Sequence, residues 1–244
     1  MALLRVWDVS KRFGGVQALT RVNFEVGAGR LVGLIGPNGA GKTTLFNLIS
    51  GVFHPDGGVV SFKGQDLTGR SSHEICRQGI ARTFQIVQPF AGLSVVENVA
   101  AGVLFGRKGQ GLRRHAAERQ ADELLQYGKL EGKGERPAGT LTLSERKRLE
   151  MVRALATGPE LLLLDEVLAG LTPQETAEMG EIIKKIQREF HLAILLIEHN
   201  MRAVMSFSED VVVLNYGSVI AHGPPQTVAK DPTVIAAYLG ESRW

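Results

Sequence analysis

The alternation of apolar and polar residues predicts antiparallel β structure at the start of the chain. Residues 3–26, LLRVWDVSKRFGGVQALTRVNFEV, follow this alternation and are interrupted by Gly14 and Gly15. A period of two is typical of strands that bury one face, and a glycine pair suits the turn between them. The next segments predict a short buried strand in RLVGLIG, a helix in KTTLFNLIS that ends at Gly51, and further β structure in GGVVSFKGQDL.

Helical periodicity dominates the middle of the chain. Residues 89–156 are mostly of this type, with a capping box at Ser94 and Glu97 and a polar, alanine-rich helix at residues 113–127. The segment TPQETAEMGEIIKKIQREF predicts the clearest amphipathic helix, since Thr172 stands at its N-cap and an apolar stripe runs along one face.

Apolar runs in the second half predict buried strands between helices. These are LLLLD and LAILLI, followed by a hairpin in VVVLNYGSVIAHG and a short helix in DPTVIAAYLG. Buried strands that alternate with helices indicate an α/β fold with a parallel sheet. The prediction is therefore an α/β core, an N-terminal antiparallel β subdomain and a helical insertion.

Composition restricts the class of protein. The chain has 244 residues, a net charge of +3 and 44% hydrophobic residues, which is typical of a globular protein. Cys76 is the single cysteine, so no internal disulfide forms and a reducing compartment is expected. No apolar run approaches the roughly 18 residues of a membrane span. If the protein works at a membrane, we expect another chain to anchor it.

The segment GPNGAGKT predicts a phosphate-binding loop. It matches G-x-x-x-x-G-K-[ST] and stands between a predicted strand and a predicted helix. Glycines let successive N–H groups form an anion nest, and the helix start adds a favourable dipole. The residues predicted to bind a nucleoside triphosphate are Gly36, Pro37, Asn38, Gly39, Ala40, Gly41, Lys42, Thr43 and Thr44. Lys42 is expected to bridge the β- and γ-phosphates, and the Thr43 hydroxyl to bind Mg²⁺.

Two acidic residues follow the apolar run LLLL. Asp165 lies at the end of a predicted buried strand, where its carboxylate suits a Mg²⁺ site. Glu166 comes next and is predicted to act as the general base on an attacking water. The alternative is that these acids only mark where a strand leaves the core.

Together, GPNGAGKT, LLLLDE and His199 after LAILLI resemble the ATP-binding subunits of ABC transporters. The resemblance covers nearly the whole chain. It implies a P-loop NTPase core at residues 1–88 and 156–244, with a helical subdomain at residues 89–155.

The resemblance also assigns roles to single residues. It implies that Phe13 stacks on adenine, that Gln85 binds the nucleotide and its metal ion, and that His199 contacts the γ-phosphate. Ala169–Thr172, AGLT, matches the loop that crosses the interface between two ATP-binding subunits in this family.

The segment LTLSE, Leu141–Glu145, lies where this family has a sequence similar to L-S-G-G-Q. The resemblance implies that Thr142 and Ser144 help to close over ATP bound by a second subunit. Leu143 and Glu145 work against this, since one adds bulk near phosphate and the other adds negative charge. Thr142 and Glu145 also form a capping box that any helix could use, so a structural role remains the alternative.

Other segments resemble importers of branched-chain amino acids, namely GIARTFQIVQPFAGLSVVENV, PELLLLDEVLAGLTPQE and DPTVIAAYLGE. This resemblance implies a dimeric ATPase on the inner face of the cell membrane, bound to integral-membrane permease subunits. A groove near Phe84, Gln85, Phe90 and Leu93 is expected to receive the permease, unless these apolar side chains belong to the core.

Two other functions stay open. One is a soluble ATPase of DNA repair or translation, for which the basic residues of GRKGQGLRRH are the best argument. The other is a regulatory subunit with weak catalysis, which only LTLSE favours. We expect no nucleic-acid partner, and the second ATP-binding subunit is either identical or different.

Overall fold

The computed structural model describes residues 2–84, 88–107, 109 and 111–239 of the chain, without the Leu239 side chain. It divides into two compact units. The first unit comprises Met1–Ile75 and Ala193–Trp244, and the second comprises Cys76–Leu192.

An antiparallel sheet opens the first unit and confirms the predicted β structure. Its strands lie in the order β2-β1-β4-β5. Their bounds are Ala2–Phe13 (β1), Val16–Gly27 (β2), Gly57–Phe62 (β4) and Gln65–Asp66 (β5). On β1, Leu4, Val6 and Val9 are buried, and Asp8 with φ 51° accompanies the register shift between Val6 and Val9.

Four further strands of the first unit lie in the order β10-β9-β3-β8. They are Leu31–Ile35 (β3), Ala193–Ile197 (β8), Asp210–Asn215 (β9) and Ser218–Gly223 (β10). Strand β3 runs parallel to both β8 and β9, whereas β9 and β10 form the predicted hairpin. Every residue of β3 and β8 is buried, which explains why both sequences are continuous apolar runs.

The helices of the first unit are short. They are Lys42–Ile49 (α1), Met201–Phe207 (α7), Pro225–Val228 (α8) and Pro232–Leu239 (α9). Helix α2, Ser72–Gln78, spans the boundary between the units. A buried cluster joins strands and helices here, with Ile35, Val204, Val213, Val228 and Val234 among its members.

The second unit contains two parallel strands and four longer helices. The strands are Ile80–Arg82 (β6) and Leu161–Asp165 (β7). The helices are Val95–Phe105 (α3), Arg114–Leu125 (α4), Leu143–Ala156 (α5) and Pro173–Phe190 (α6). Apolar side chains of α3, α4 and α5 form one buried cluster, which includes Val99, Ala121 and Val152.

The capping box predicted at the start of α3 and the Thr172 N-cap predicted for α6 are both confirmed. The Ser94 hydroxyl accepts a hydrogen bond from the Glu97 N–H, and the Glu97 side chain accepts one from the Ser94 N–H. Thr172 and Glu175 make the same pair of bonds, with Pro173 in the first turn of α6. Strand β6 and helices α2, α7 and α8 were not predicted. The subdomain bounds at residues 89–155 stay a prediction.

Among the helices that the structure describes, none combines the length and the apolar character that crossing a bilayer requires.

Candidate ATPase site

The predicted phosphate-binding loop connects β3 to α1 in the first unit. Gly36, Gly39 and Gly41 have φ values of 152°, 78° and 103°, which side chains other than glycine rarely adopt. A Cβ atom on Gly36 would come within 2.1 Å of the Leu214 carbonyl oxygen, so there is no space for a side chain at this position. The backbone therefore has the tight, glycine-dependent form of a phosphate cradle.

Lys42 lies over this loop, and its ammonium group donates hydrogen bonds to two carbonyl oxygens of the loop. The distances are 2.7 Å to Gly36 and 2.9 Å to Pro37. The side chain is only 6% exposed. A buried ammonium beside a nest of backbone N–H groups at a helix start fits an anionic triphosphate.

A hairpin turn supports the loop from outside. The Gly217 N–H donates to the Ala40 carbonyl oxygen at 3.0 Å, and the Thr20 N–H donates to the Gly217 carbonyl oxygen at 2.8 Å. Gly217 has φ 77°, and a Cβ atom there would meet the Ala18 carbonyl oxygen at 2.6 Å. Sequence analysis missed this contact, because nothing in the turn's own sequence indicates what it touches.

Helix α9 also contacts the loop. The Gly36 N–H donates to the Tyr238 hydroxyl oxygen. Burial of that hydroxyl raises the pKa of Tyr238 to about 12, and the Gly36 hydrogen bond opposes the rise. The phenol is therefore neutral at physiological pH.

Phe13, the predicted adenine platform, ends β1 in the first unit. Its ring meets the edge of the Phe53 ring at a centroid distance of 5.2 Å, and the Lys11 ammonium lies 5.4 Å from its centroid. The residue is still 41% exposed, so part of the ring is accessible for stacking. Its role in adenine binding stays a prediction.

His199 follows β8 and is exposed. Strands β3 and β8 are parallel, with Leu34 paired to Ile197, so the phosphate loop and His199 come after neighbouring strand ends on one edge of the sheet. Asn200 caps the next helix by accepting a hydrogen bond from the Ala203 N–H. Within the first unit, the fold thus brings His199 to the edge where Lys42 lies. Contact with a γ-phosphate remains a prediction.

The two predicted acids lie at the end of β7 in the second unit: Asp165 is its last residue, and Glu166 follows it. Asp165 is 2% exposed, and its Oδ2 lies 2.8 Å from the Arg82 guanidinium on β6. The Asp165 N–H also donates to the Thr83 hydroxyl at 3.1 Å. Sequence analysis missed Arg82, because a strand of three residues gives almost no periodic signal.

Glu166 has a left-handed backbone conformation, with φ 51°. Its carbonyl oxygen accepts hydrogen bonds from the Ala169 N–H at 3.2 Å and from the Lys147 ammonium of α5 at 2.8 Å. Glu166 is 9% exposed, and Lys147 is 5% exposed. The backbone that carries the predicted general base is thus held by a buried cation.

The capping box predicted at the start of α5 is confirmed. The Thr142 hydroxyl accepts a hydrogen bond from the Glu145 N–H at 3.3 Å, and Glu145 Oε2 accepts one from the Thr142 N–H at 2.9 Å. Glu145 also forms an ion pair with Lys133. The Lys133 hydrogen bond, assisted by the Thr142 N–H, lowers the pKa of Glu145 to about 2. The carboxylate is ionised but partly neutralised by its own chain.

The two residues after Thr142 differ in exposure: Leu143 is 46% exposed, whereas Ser144 is buried. Leu143 packs near Gly170, where a Cβ atom would lie 3.2 Å from Leu143 Cδ2. The Ser144 hydroxyl accepts a hydrogen bond from Arg148 at 3.2 Å and is hydrogen-bonded to Glu175, and the residue is 4% exposed. Whether Thr142 and Ser144 contact a nucleotide stays a prediction.

Some predicted residues lie elsewhere or outside the described part. Gln85 is outside the described residues, so its role stays a prediction. Phe84, Phe90 and Leu93 are 55%, 54% and 39% exposed, which makes the alternative that they belong to the core wrong. The basic residues Arg107 and Arg114 pair with acids: Glu160 for the first, Glu97 and Glu118 for the second.

Comparison with known proteins agrees with this set of motifs. The family model described as ABC transporter matches residues 19–169, and the model described as branched-chain amino acid ATP-binding cassette transporter matches residues 218–243.

Two relatives are similar over their whole length. They are the high-affinity branched-chain amino acid transport ATP-binding proteins BraF of Pseudomonas aeruginosa and LivG of Escherichia coli K12. Each is 40% identical to this chain, with 98% of both chains covered.

Solved structures are similar as well. A nucleotide-free ATP-binding cassette from an ABC transporter superimposes with a TM-score of 0.88 at 31% identity, covering 99% of this chain and 100% of the other. The ADP conformation of an ATP-binding cassette has a TM-score of 0.86 at 31% identity over the same shares. The chain belongs to the ATP-binding cassette family of transport ATPases.

Proposed function

We propose that this chain is the ATP-hydrolysing subunit of a membrane importer for branched-chain amino acids or a related small polar solute. The observation that carries the proposal is the 40% identity, over 98% of both chains, to two ATP-binding proteins of branched-chain amino acid transport. The match to the branched-chain model at residues 218–243 adds support, since that segment lies beyond the nucleotide motifs.

In this proposal the first unit supplies most contacts to ATP. The N–H groups of the loop from Gly36 to Thr44 surround the phosphates, and the Lys42 ammonium exchanges its bonds to loop carbonyls for bonds to the β- and γ-phosphates. Phe13 stacks on the adenine, and His199 contacts the γ-phosphate. The accessible part of the Phe13 ring and the position of His199 beside the loop support these roles.

Mg²⁺ would be held by oxygens of Thr43, Gln85 and Asp165. The donors fit a hard cation, because hydroxyl, amide and carboxylate oxygens are the ligands Mg²⁺ prefers. When bound, Mg²⁺ supplies positive charge against the charge of the phosphoryl oxygens.

Glu166 acts on the attacking water. Its carboxylate accepts a proton as the water oxygen bonds to the γ-phosphorus, and the bond from that phosphorus to the β-γ bridging oxygen breaks to release ADP. The low exposure of Glu166 and the fixed backbone that carries it suit a group that must hold one orientation.

The proposed assembly contains a second ATP-binding subunit and integral-membrane permease subunits, and lies on the inner face of the cell membrane. The start of α5, with Thr142 and Ser144, closes over ATP held by the second subunit. Because the Ser144 hydroxyl is engaged with Arg148 and Glu175, its contribution comes through the backbone. The exposed Phe84, Phe90 and Leu93 offer an apolar surface for the permease.

A second candidate is a subunit that closes its partner's site only weakly. The observation that favours it is the buried Ser144 side chain next to the bulky Leu143, where a closer backbone approach to phosphate would need small residues. A Leu143→Gly variant would separate the two, because it restores a small residue at the start of α5. Hydrolysis per site that matches the wild type supports full catalysis, and hydrolysis that rises clearly above the wild type supports the weak subunit.

ATP hydrolysis by the purified chain, measured with and without co-purified membrane partners, tests the proposal. We expect Mg²⁺-dependent hydrolysis that Glu166→Gln nearly abolishes while leaving an ATP-bound dimer on size-exclusion chromatography. Lys42→Met should instead weaken ATP binding by about 10- to 100-fold, since it removes charge-assisted hydrogen bonds. Hydrolysis that survives both substitutions would contradict the assignment.

A further inference from the structure

Helix α5 carries two buried charged side chains in addition to the capping box at its start. Lys147 and Glu150 are each 5% exposed and stand three residues apart, on one face of the helix. The Lys147 ammonium donates to the Glu166 carbonyl oxygen at 2.8 Å, and Glu150 Oε1 accepts a hydrogen bond from the Phe84 N–H at 2.7 Å.

Burying an ammonium group is costly, and a buried charge is normally retained only where it has a specific partner. An apolar residue of similar length, such as methionine, would fill the same space on the helix face of the buried Met151 without that cost. Packing therefore does not explain the charge of Lys147. Its contact with Glu166 does offer an explanation.

The Glu166 backbone needs such a contact. A φ of 51° places a residue with a long side chain in the left-handed region, which is disfavoured unless the surroundings hold it there. Two donors converge on its carbonyl oxygen, the Ala169 N–H and the Lys147 ammonium. The first comes from the turn itself, whereas Lys147 links this peptide to a different element, helix α5.

We propose that Lys147 is a positioning residue for hydrolysis: its ammonium fixes the Glu166 peptide, and through it the direction of the Glu166 carboxylate. It does not touch the reacting atoms. Because Lys147 lies little more than one turn after Thr142, a displacement of the start of α5 is transmitted to Glu166 of the same chain. The proposal rests on the role of Glu166 in the proposed function.

A double-substitution cycle tests this in the full-length protein. Single-turnover hydrolysis of radiolabelled ATP would be measured for the wild type, Lys147→Met, Glu166→Gln and the double variant. We expect Lys147→Met to lower the rate by about 10- to 100-fold, as for a small misplacement of a catalytic group, with ATP affinity changed less than about twofold. In the Glu166→Gln background, Lys147→Met should have no further effect on the rate.

Two other variants separate positioning from stability. Lys147→Arg keeps a cationic donor and should recover at least part of the rate. Val152→Ala removes buried apolar atoms from the same helix without touching Glu166, and should lower the melting temperature while leaving the rate per folded molecule unchanged. If Lys147→Met does not fold, Lys147→Arg replaces it. The rate of Lys147→Arg is then compared in the presence and in the absence of the Glu166 carboxylate, that is, with and without Glu166→Gln.

The outcomes are distinct. An unchanged rate in Lys147→Met, or an equal loss with and without the Glu166 carboxylate, overturns the positioning role while leaving the proposed function intact. Absence of hydrolysis in the wild type, by contrast, overturns the proposed function itself.

Discussion

The ion pair at the start of α5 gives a prediction whose size follows from the structure. Glu145→Gln removes the negative charge but keeps a side-chain oxygen that can still accept the Thr142 N–H. The native contacts lower the pKa of this carboxyl from 4.5 to about 2. That difference corresponds to about 3 kcal/mol of folding free energy at neutral pH. Since the Lys133 side chain is 33% exposed, solvent reduces the contribution, and we expect a loss of about 1–2 kcal/mol.

The pH dependence of this loss has a definite sign. A carboxyl whose pKa is lowered by folding stabilises the protein above its unfolded pKa of 4.5, and that stabilisation is lost as the pH falls toward about 2. The free-energy difference between wild type and Glu145→Gln should therefore be largest at pH 7 and decrease progressively below pH 4.5. Urea unfolding followed by circular dichroism at pH 7, 5 and 3 measures it.

A matched control comes from the capping box of α3. Glu97 has the same two bonds with Ser94, but its cation partner Arg114 is 72% exposed. Glu97→Gln should therefore cost less than Glu145→Gln at pH 7, because an exposed ion pair contributes little. If the two substitutions cost the same, or if the loss in Glu145→Gln is independent of pH, the Lys133 ion pair does not neutralise Glu145 in the way described.

Two further predictions concern other parts of the site. Phe13→Ala should weaken binding of a fluorescent ATP analogue by about fivefold, in line with about 1 kcal/mol for an aromatic stacking contact. Phe13→Trp should retain affinity, and equal affinity in all three proteins would exclude stacking. Burial raises the pKa of Glu150 above 4.5, so its ionisation costs stability as the pH rises above 4.5. Glu150→Gln should make the free energy of unfolding less dependent on pH above 4.5, and an unchanged slope would contradict this.

Sequence analysis succeeded where the determining contacts are local. The phosphate loop could be predicted because its glycines and the flanking strand and helix all lie within about 20 residues of sequence, and the structure gives Gly36, Gly39 and Gly41 the positive φ values such a loop needs. The three capping boxes were predictable for the same reason. Each is a bond pair between residues three positions apart.

The parts that sequence analysis missed depend on distant contacts. Arg82 meets Asp165 across 83 positions, and Lys147 meets Glu166 across 19. From a sequence, a charged residue on a helix is expected to face solvent. The burial of Lys147 and Glu150 on one face of α5 therefore could not be predicted. Similarly, the sequence shows that the Glu145 carboxylate would repel a phosphate. It does not show that Lys133, which lies outside the helix, forms an ion pair with that carboxylate.

The position of Ser144 shows the same limit. A hydroxyl at the start of a helix is suited to a phosphate contact, yet here it is buried and bonded to Arg148 and Glu175. The bond to Arg148 lies within α5, whereas the bond to Glu175 depends on the approach of α6 to the start of α5.

Uptake of radiolabelled leucine tests the central claim most directly. Cells that lack this chain would be complemented with the wild type or with Glu166→Gln at equal expression, and initial uptake rates compared in the presence and absence of excess unlabelled isoleucine. Import of branched-chain amino acids, the first form of the proposed function, predicts uptake with the wild type that isoleucine inhibits, and background uptake with Glu166→Gln. Leucine uptake that is the same with the wild type, with Glu166→Gln and without the chain would contradict import of branched-chain amino acids.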